Sequence, residues 1–449
     1  MSDLESSAAG GIQPIERLSS PFVRFARLEA SGGILLFLCT VLALVWANSP
    51  WWESYHHFWD QPMTVGFGHI LIAETRHFWI DDGLMAIFFF LVGLEIKREV
   101  LIGELSSLKR AAFPLMAAVG GSTIPALLYL LVNQSSGAQR GWGIPMATDI
   151  AFALGVLALL GARVPVALKV FVVALAIVDD ILCVLVISIF YTDQISFLYL
   201  GIAFAGLAVS CLANWAGVRT PAVYAVITVF VWLAVLKSGV HATIAGVLMA
   251  FTVPASTSLD RPEFLARSRS LLDRMESAKE QSEEEHGAIH GLELLCELVQ
   301  SPLHRIEHRL HPWVSFFIMP LFALANAGVH FLGDLGSAAA HPVTVGVLLG
   351  LFFGKPLGIT AAAWLAVKAG IAAEPAGVNW KQIMGGALVC GIGFTMSLFV
   401  AGLAFGDGAL LDMAKIGTLS ASVLAGVGGA LVVRMAHPRQ TTGADNRAA

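Results

Sequence analysis

Long apolar runs separated by short polar stretches make up most of the chain. Runs long enough to cross about 30 Å of hydrocarbon fall near residues 30–48, 80–100, 111–132, 143–161, 165–191, 195–215, 220–236, 239–254, 312–332, 342–367, 382–405 and 409–433. This pattern predicts an all-α polytopic membrane protein with about twelve transmembrane helices. It divides the chain into an amino-terminal arm (1–29), spans 1–8 (30–254), a long charged loop (255–311), spans 9–12 (312–433) and a tail (434–449). The seventh and eighth spans are short, and Lys237, Ser238 and Gly239 suit a tight turn between them.

Composition agrees with a bilayer: 57% of the 449 residues are hydrophobic, 13% are charged and the mean hydropathy is +0.75. A net charge of −5, with no basic stripe, excludes nucleic acid as a partner. Lys and Arg are distributed unevenly. The segments before span 1 and after each even-numbered span hold 19 of the 27, against three on the opposite side, so both termini are expected in the cytoplasm. The first thirty residues mix acids and bases without a compact apolar core, so the first span should act as the anchor rather than a cleaved signal. Cys39, Cys183, Cys211, Cys296 and Cys390 lack C-x-x-C spacing and read as buried small hydrophobes. Loop 255–311 carries eleven Asp and Glu against seven Lys and Arg, with leucines between them, and predicts cytoplasmic helices. Loop 49–79 is aromatic and poor in charge, a candidate surface hairpin that could pair with another subunit.

The costliest residues carry the chemistry. Asp179 and Asp180 sit near the middle of the apolar run from Ala167 to Phe190, where each carboxylate costs about 2.5 to 3.5 kcal/mol on an insertion scale. An ion or proton site accounts for that cost. Neighbours on a helix point about 100° apart, so one aspartate can line a cavity while the other meets a packed helix. Lys355, in Phe352-Phe353-Gly354-Lys355-Pro356-Leu357-Gly358, is the cation deepest in a span and the natural counter-charge for one aspartate. A static buried ion pair is the alternative, but one lysine leaves the second aspartate unneutralised. Pro145 with Thr148 and Asp149 weakens span 4, and the stretch Cys390 to Ser397 weakens span 11. Glu95 and Glu99 flank Lys97 and Arg98 at the end of span 2, where a solvated helix end is the plain reading. His304-Arg305-Ile306-Glu307-His308 spells the H-x-x-E-H zinc pattern at a membrane boundary without an evident third ligand, so zinc catalysis is rejected. Intramembrane aspartyl proteolysis commonly uses a G-x-G-D element, which does not occur here. Nothing in the chain points to an enzyme or a cofactor.

Several stretches then align with one family in order: Asp82-Gly83-Leu84-Met85, Leu91 to Glu99, Ala147 to Gly155, Ala176 to Asp180, Lys237 to Thr243, Pro320 to Gly328, Gly354 to Gly358 and Gly391 to Ser397. Over residues 20–435 the chain resembles the NhaA-type sodium/proton antiporters of bacterial inner membranes. It departs from that pattern in its acidic termini, in Asp81 beside Asp82, and in a longer stretch between Ser256 and Ser301. The resemblance implies inverted-topology repeats with interrupted, crossing helices in spans 4 and 11. Such interruptions mark ion sites in several transporter folds, this family being one of the cases behind the rule. It also implies Asp180 as principal ligand for transported Na⁺ or Li⁺, Asp179 as second ligand or partner of Lys355, and Asp149 with Thr148 as stabilisers of the crossing. Glu95, Glu99, Glu307, His308 and His241 would contribute to pH sensing, histidine titrating between about pH 5 and 8. The expected function is electrogenic, pH-regulated Na⁺(Li⁺)/H⁺ exchange by alternating access at an Asp-Asp site. A homodimer in the lipid bilayer is the candidate assembly. An organic-anion symporter of related fold is the alternative, disfavoured by three acids at the crossing, and one asymmetric Asp-Asp-Lys set suits exchange better than a channel.

Overall fold

The computed structural model describes residues 31–436 except 68, 69, 135, 193, 194, 258, 279–281 and 331–334. The arm 1–29 and the tail beyond residue 436 lie outside the described residues. The chain begins with α1 (Ser31–Ala47), which turns through 114° into the short α2 (Trp52–Asp60). β1 (Pro62–Phe67) and β2 (Ile70–Thr75) pair antiparallel, Pro62 opposite Thr75 and Phe67 opposite Ile70, so the expected hairpin in loop 49–79 is present. Next come α3 (Met85–Ile102), α4 (Leu108–Val132), α5 (Ile150–Leu160), α6 (Val166–Phe190), α7 (Phe197–Trp215), α8 (Pro221–Ser238) and α9 (Thr243–Thr252). The charged loop forms α10 (Arg261–Ser277) and α11 (Glu283–Val299). The chain closes with α12 (Pro302–Trp313), α13 (Met319–Asn326), α14 (Pro342–Leu349), α15 (Lys355–Lys368), α16 (Trp380–Val389), α17 (Phe394–Phe405) and α18 (Ala409–Ala436).

Among the described residues six helices are long and apolar enough to cross a membrane alone, and nine candidates result if each of three bent pairs counts as one span. Two expected spans differ. The eighth span is only the ten residues of α9, about 15 Å of helix, because Gly239 at φ +82° ends α8 late and α9 is almost wholly buried against α3. A Cβ on Gly246 would meet the Ala86 carbonyl oxygen at 2.3 Å, so the two backbones touch. The ninth span does not start at residue 312: α12 runs through the π-helical turn Val314–Ile318 into α13. A second π turn, Gly350–Gly354, joins α14 to α15. Each of these turns lies just before a proline, Pro320 or Pro356, whose ring crowds the carbonyl four residues earlier and whose missing N–H frees it.

Outward faces of α7 and α8 carry exposed Phe197, Phe204, Trp215 and Phe230, as expected of lipid-facing side chains. The cysteine expectation is also corrected. Only Cys183 and Cys390 are buried; Cys39 is half-buried, Cys211 and Cys296 are exposed, and all five are free. Helices α4 and α15 approach through glycines: a Cβ on Gly120 would meet the Gly358 carbonyl oxygen at 2.3 Å. That approach holds the start of α15, and with it Lys355, against the centre of the bundle.

Candidate ion-binding site

Two helices are interrupted, and the interruptions touch. Residues 137–146 and α5 meet at 40° across 147–149, while α16 and α17 meet at 49° across 390–393. Each break strands backbone donors at one helix start and acceptors at another helix end, which is costly where the backbone is buried. The sequence supplies partners for them. Asp149 caps α5 by accepting from Phe152 N at 3.0 Å, and its other oxygen accepts from the backbone N and hydroxyl of Thr395, at 3.1 and 2.5 Å, at the start of α17. One carboxylate thus faces the positive ends of two helices. The Asp149 N–H donates to the Ile392 carbonyl at 2.7 Å, Phe394 N to Ser422 Oγ at 3.2 Å, and Ser397 Oγ to the Ile144 carbonyl at 2.7 Å.

The opposite charge comes from Lys355, fully buried, whose Nζ donates to the Met146 carbonyl at the end of the broken segment and lies 2.8 Å from Asp179 Oδ2. Thr148 Oγ1 is 2.8 Å from both Asp179 Oδ2 and the Cys390 carbonyl, so its single proton serves one of them at a time. Ser122 Oγ donates to Asp179 Oδ1 at 3.4 Å. Asp179 is therefore held from α4, α15 and the first break. Asp180, one residue on, is 1% exposed, and neither of its oxygens has a hydrogen-bond partner. The charges acting on it are Asp179, Glu95, Asp149 and Lys355, three carboxylates against one ammonium.

The structure thus brings together Asp179, Asp180, Lys355, Asp149 and Thr148, all named from the sequence. It adds Ser122, Thr395 and the carbonyls of Met146 and Cys390. Thr395 lay inside the Gly391 to Ser397 stretch already singled out; Ser122 gave only the weak signal of a hydroxyl in an apolar helix. The remaining expected residues are divided between two places. Arg98 pairs with Glu307 and, at 3.1 Å, with Glu99, and acts on Glu95, which joins the four on the side of loop 255–311. His308 is exposed there, stacked at 6.4 Å on His304. His241 is elsewhere, 3.6 Å from Asp82.

A family model described as Na+/H+ antiporter 1 matches residues 23–433. The Na(+)/H(+) antiporter NhaA of Koribacter versatilis (strain Ellin345) is 61% identical over 433 residues, covering 96% of this chain and 95% of that protein. The Na(+)/H(+) antiporter NhaA of Oleidesulfovibrio alaskensis is 51% identical over 429 residues, covering 94% and 95%. The Na(+)/H(+) antiporter NhaA 2 of Syntrophotalea carbinolica is 47% identical over 429 residues, covering 94% and 98%. With the family match spanning nearly the whole chain, and these relatives aligned along almost their full length, this chain belongs to the Na+/H+ antiporter 1 family.

Proposed function

We propose that the chain is a secondary active antiporter that extrudes Na⁺ or Li⁺ from the cytoplasm in exchange for external protons, with Asp180 as the principal cation ligand. The observation that carries this reading is the pair of unpartnered, buried oxygens of Asp180. A carboxylate that deep without a donor is neutralised by a proton or by a cation, and the two compete for the same oxygens. Asp179 is the second member, paired with Lys355 when the cation is absent and available as a ligand when it is present. Thr148 and the carbonyls left outside helical pairing at the breaks supply further oxygen. Asp149 stabilises the meeting of the helices and keeps its charge engaged by N–H groups. The alternative of an anion symporter gains nothing from this geometry, because the cation nearest the site is already committed to Asp179 and a carbonyl.

The same reading makes exchange electrogenic: two neighbouring carboxylates are fully discharged by two protons but only partly by one Na⁺. It places the chain in a bacterial inner membrane with both termini and loop 255–311 in the cytoplasm, consistent with the Lys and Arg bias. It assigns pH regulation to the cluster of Glu95, Glu99, Glu307 and His308 with His241 in support. It includes a homodimer through the hairpin, whose strands expose Met63, Val65 and Leu71 and, among the described residues, form a sheet of two strands only. The deciding experiment uses everted vesicles with a preformed proton gradient and a pH-reporting dye. Added NaCl or LiCl should dissipate the gradient, and no response to either salt would sink the reading.

A further inference from the structure

A second polar group lies at the opposite end of α3 from Arg98 and is not used by the site above. The turn before α3, Trp79–Leu84, is π-helical, and its extra residue aims Asp81 and Asp82 at different neighbours. Asp82 faces His241 and belongs to the pair already described. Asp81 faces Asn326 at the end of α13: Asn326 Nδ2 donates to Asp81 Oδ1 at 2.8 Å and to the Phe322 carbonyl at 3.3 Å. Two acceptors around Nδ2 set the amide's orientation, so Asn326 Oδ1 faces His77 Nε2, 3.1 Å away, and that nitrogen carries a proton. The third side closes the ring, with His77 Nδ1 3.5 Å from Asp81 Oδ2.

This ring leaves no neutral, comfortable arrangement without an additional proton. With Nε2 protonated, a neutral imidazole turns a bare Nδ1 lone pair toward a carboxylate, and the two repel. One proton, on Nδ1 or on Oδ2, converts that contact into attraction. The other charges facing Asp81 are Asp82 on its own turn and Lys415 of α18, itself balanced by Asp407 and Asp412. Tyr55 of α2 is also close, but its hydroxyl donates to the carbonyls of Leu324 and Ala325. The side chains of His77 and Asp81 are 31% and 24% exposed, so water reaches the pair.

We propose that Asp81 and His77, locked in register by Asn326, hold one shared proton at the outer mouth and load the exchange cycle with protons from outside. This rests on the antiport reading and its orientation. The test uses the full chain in proteoliposomes of one orientation, with internal pH clamped, external pH varied and the initial rate of ²²Na⁺ exchange measured. Asp81→Asn and His77→Gln should each raise the external proton concentration for half-maximal exchange about tenfold, the size of one pKa step. Because the two share one proton, the double variant should be no worse than either single. An external profile unchanged in both singles, additive shifts in the double, or an equal shift in the response to internal pH would overturn the dyad. If a variant fails to insert, the parent decides: infrared and ¹⁵N spectra should show one proton held jointly by His77 and Asp81 at neutral external pH. An ionised Asp81 beside a neutral His77 overturns the proposal. A parent that exchanges normally while these outcomes fail sinks only the dyad, whereas a parent without Na⁺-driven proton movement sinks the antiport reading first.

Discussion

The meeting point of the broken helices and the cluster around Arg98 both set carboxylates against a cation, yet they differ in how much water reaches them. Lys355 and Asp179 have side chains with no exposure, while Arg98 is 33% exposed, Glu99 15% and Glu307 9%. In the first region every charge is met by protein: Asp149 by the N–H groups of two helices, Asp179 by Lys355, Thr148 and Ser122. Asp180 is the exception. On the proposed reading, the one unmet carboxylate is a switch between two small cations, because the protein supplies no donor to it. Arg98 is partly exposed and has two carboxylate partners, so it can lose one and keep the other, and on the proposed reading the same chemistry gives a graded response. On that reading, burial, more than residue type, separates the binding site from the modulator.

The sharpest way to break this contrast is Asp180→Asn. The amide keeps the shape and loses both the attraction for Na⁺ and the titration that releases it, so exchange should fall to background while the protein still inserts; Asp179→Asn should be similarly severe. Near-normal Na⁺-driven proton flux in either variant, measured in everted vesicles, would remove the assignment. Lys355→Ala comes next. It strands Asp179 and the Met146 carbonyl without their ammonium, and breaking a buried pair costs about 3 to 5 kcal/mol. A thermal-stability assay in detergent should show the loss alongside that of activity, and parent-like stability would mean that Asp179 is held by Thr148 and Ser122 alone.

A smaller effect should follow Gly120→Leu, which pushes a side chain into the Gly358 backbone and overpacks the contact that positions Lys355, at a cost of about 1 to 3 kcal/mol. Reduced thermal stability with a weakened Na⁺ response is expected, and an unaffected variant would show that α4 and α15 can separate freely. The mildest change is Glu307→Gln. It should move the pH at which exchange is half-activated while sparing the maximal rate, because Arg98, a third exposed, keeps Glu99 as a partner when the buried Glu307 loses its charge. If pH-clamped vesicles instead showed total loss at every pH, the Arg98 cluster would belong with the binding site and the contrast would collapse.

Polar residues inside apolar runs are legible because a bilayer makes each one expensive, which is why Asp149, Asp179, Asp180 and Lys355 stand out from the hydropathy pattern alone. Cysteine burial within the apolar runs is not legible, for the complementary reason. Lipid is as apolar as a core, so hydropathy cannot tell the exposed Cys211 from the buried Cys183. Ser122 and Thr395 gave weak signals, since lone hydroxyls in membrane helices commonly satisfy themselves on their own helix, as Thr40 does on Leu36.

The sequence by itself determined the class of molecule, the unevenly charged loops, the two weak helices and the acids that must be used. Tertiary structure decided which acid is satisfied. Asp179 and Asp180 are chemically identical neighbours, and only the packing of α4, α15 and the two breaks gives one of them a lysine and two hydroxyls and the other nothing. The same holds for Asp81, whose partner Asn326 is 245 residues away. Local pattern records the cost of placing a charge in an apolar run, but which group offsets that cost depends on distances that only the folded chain creates.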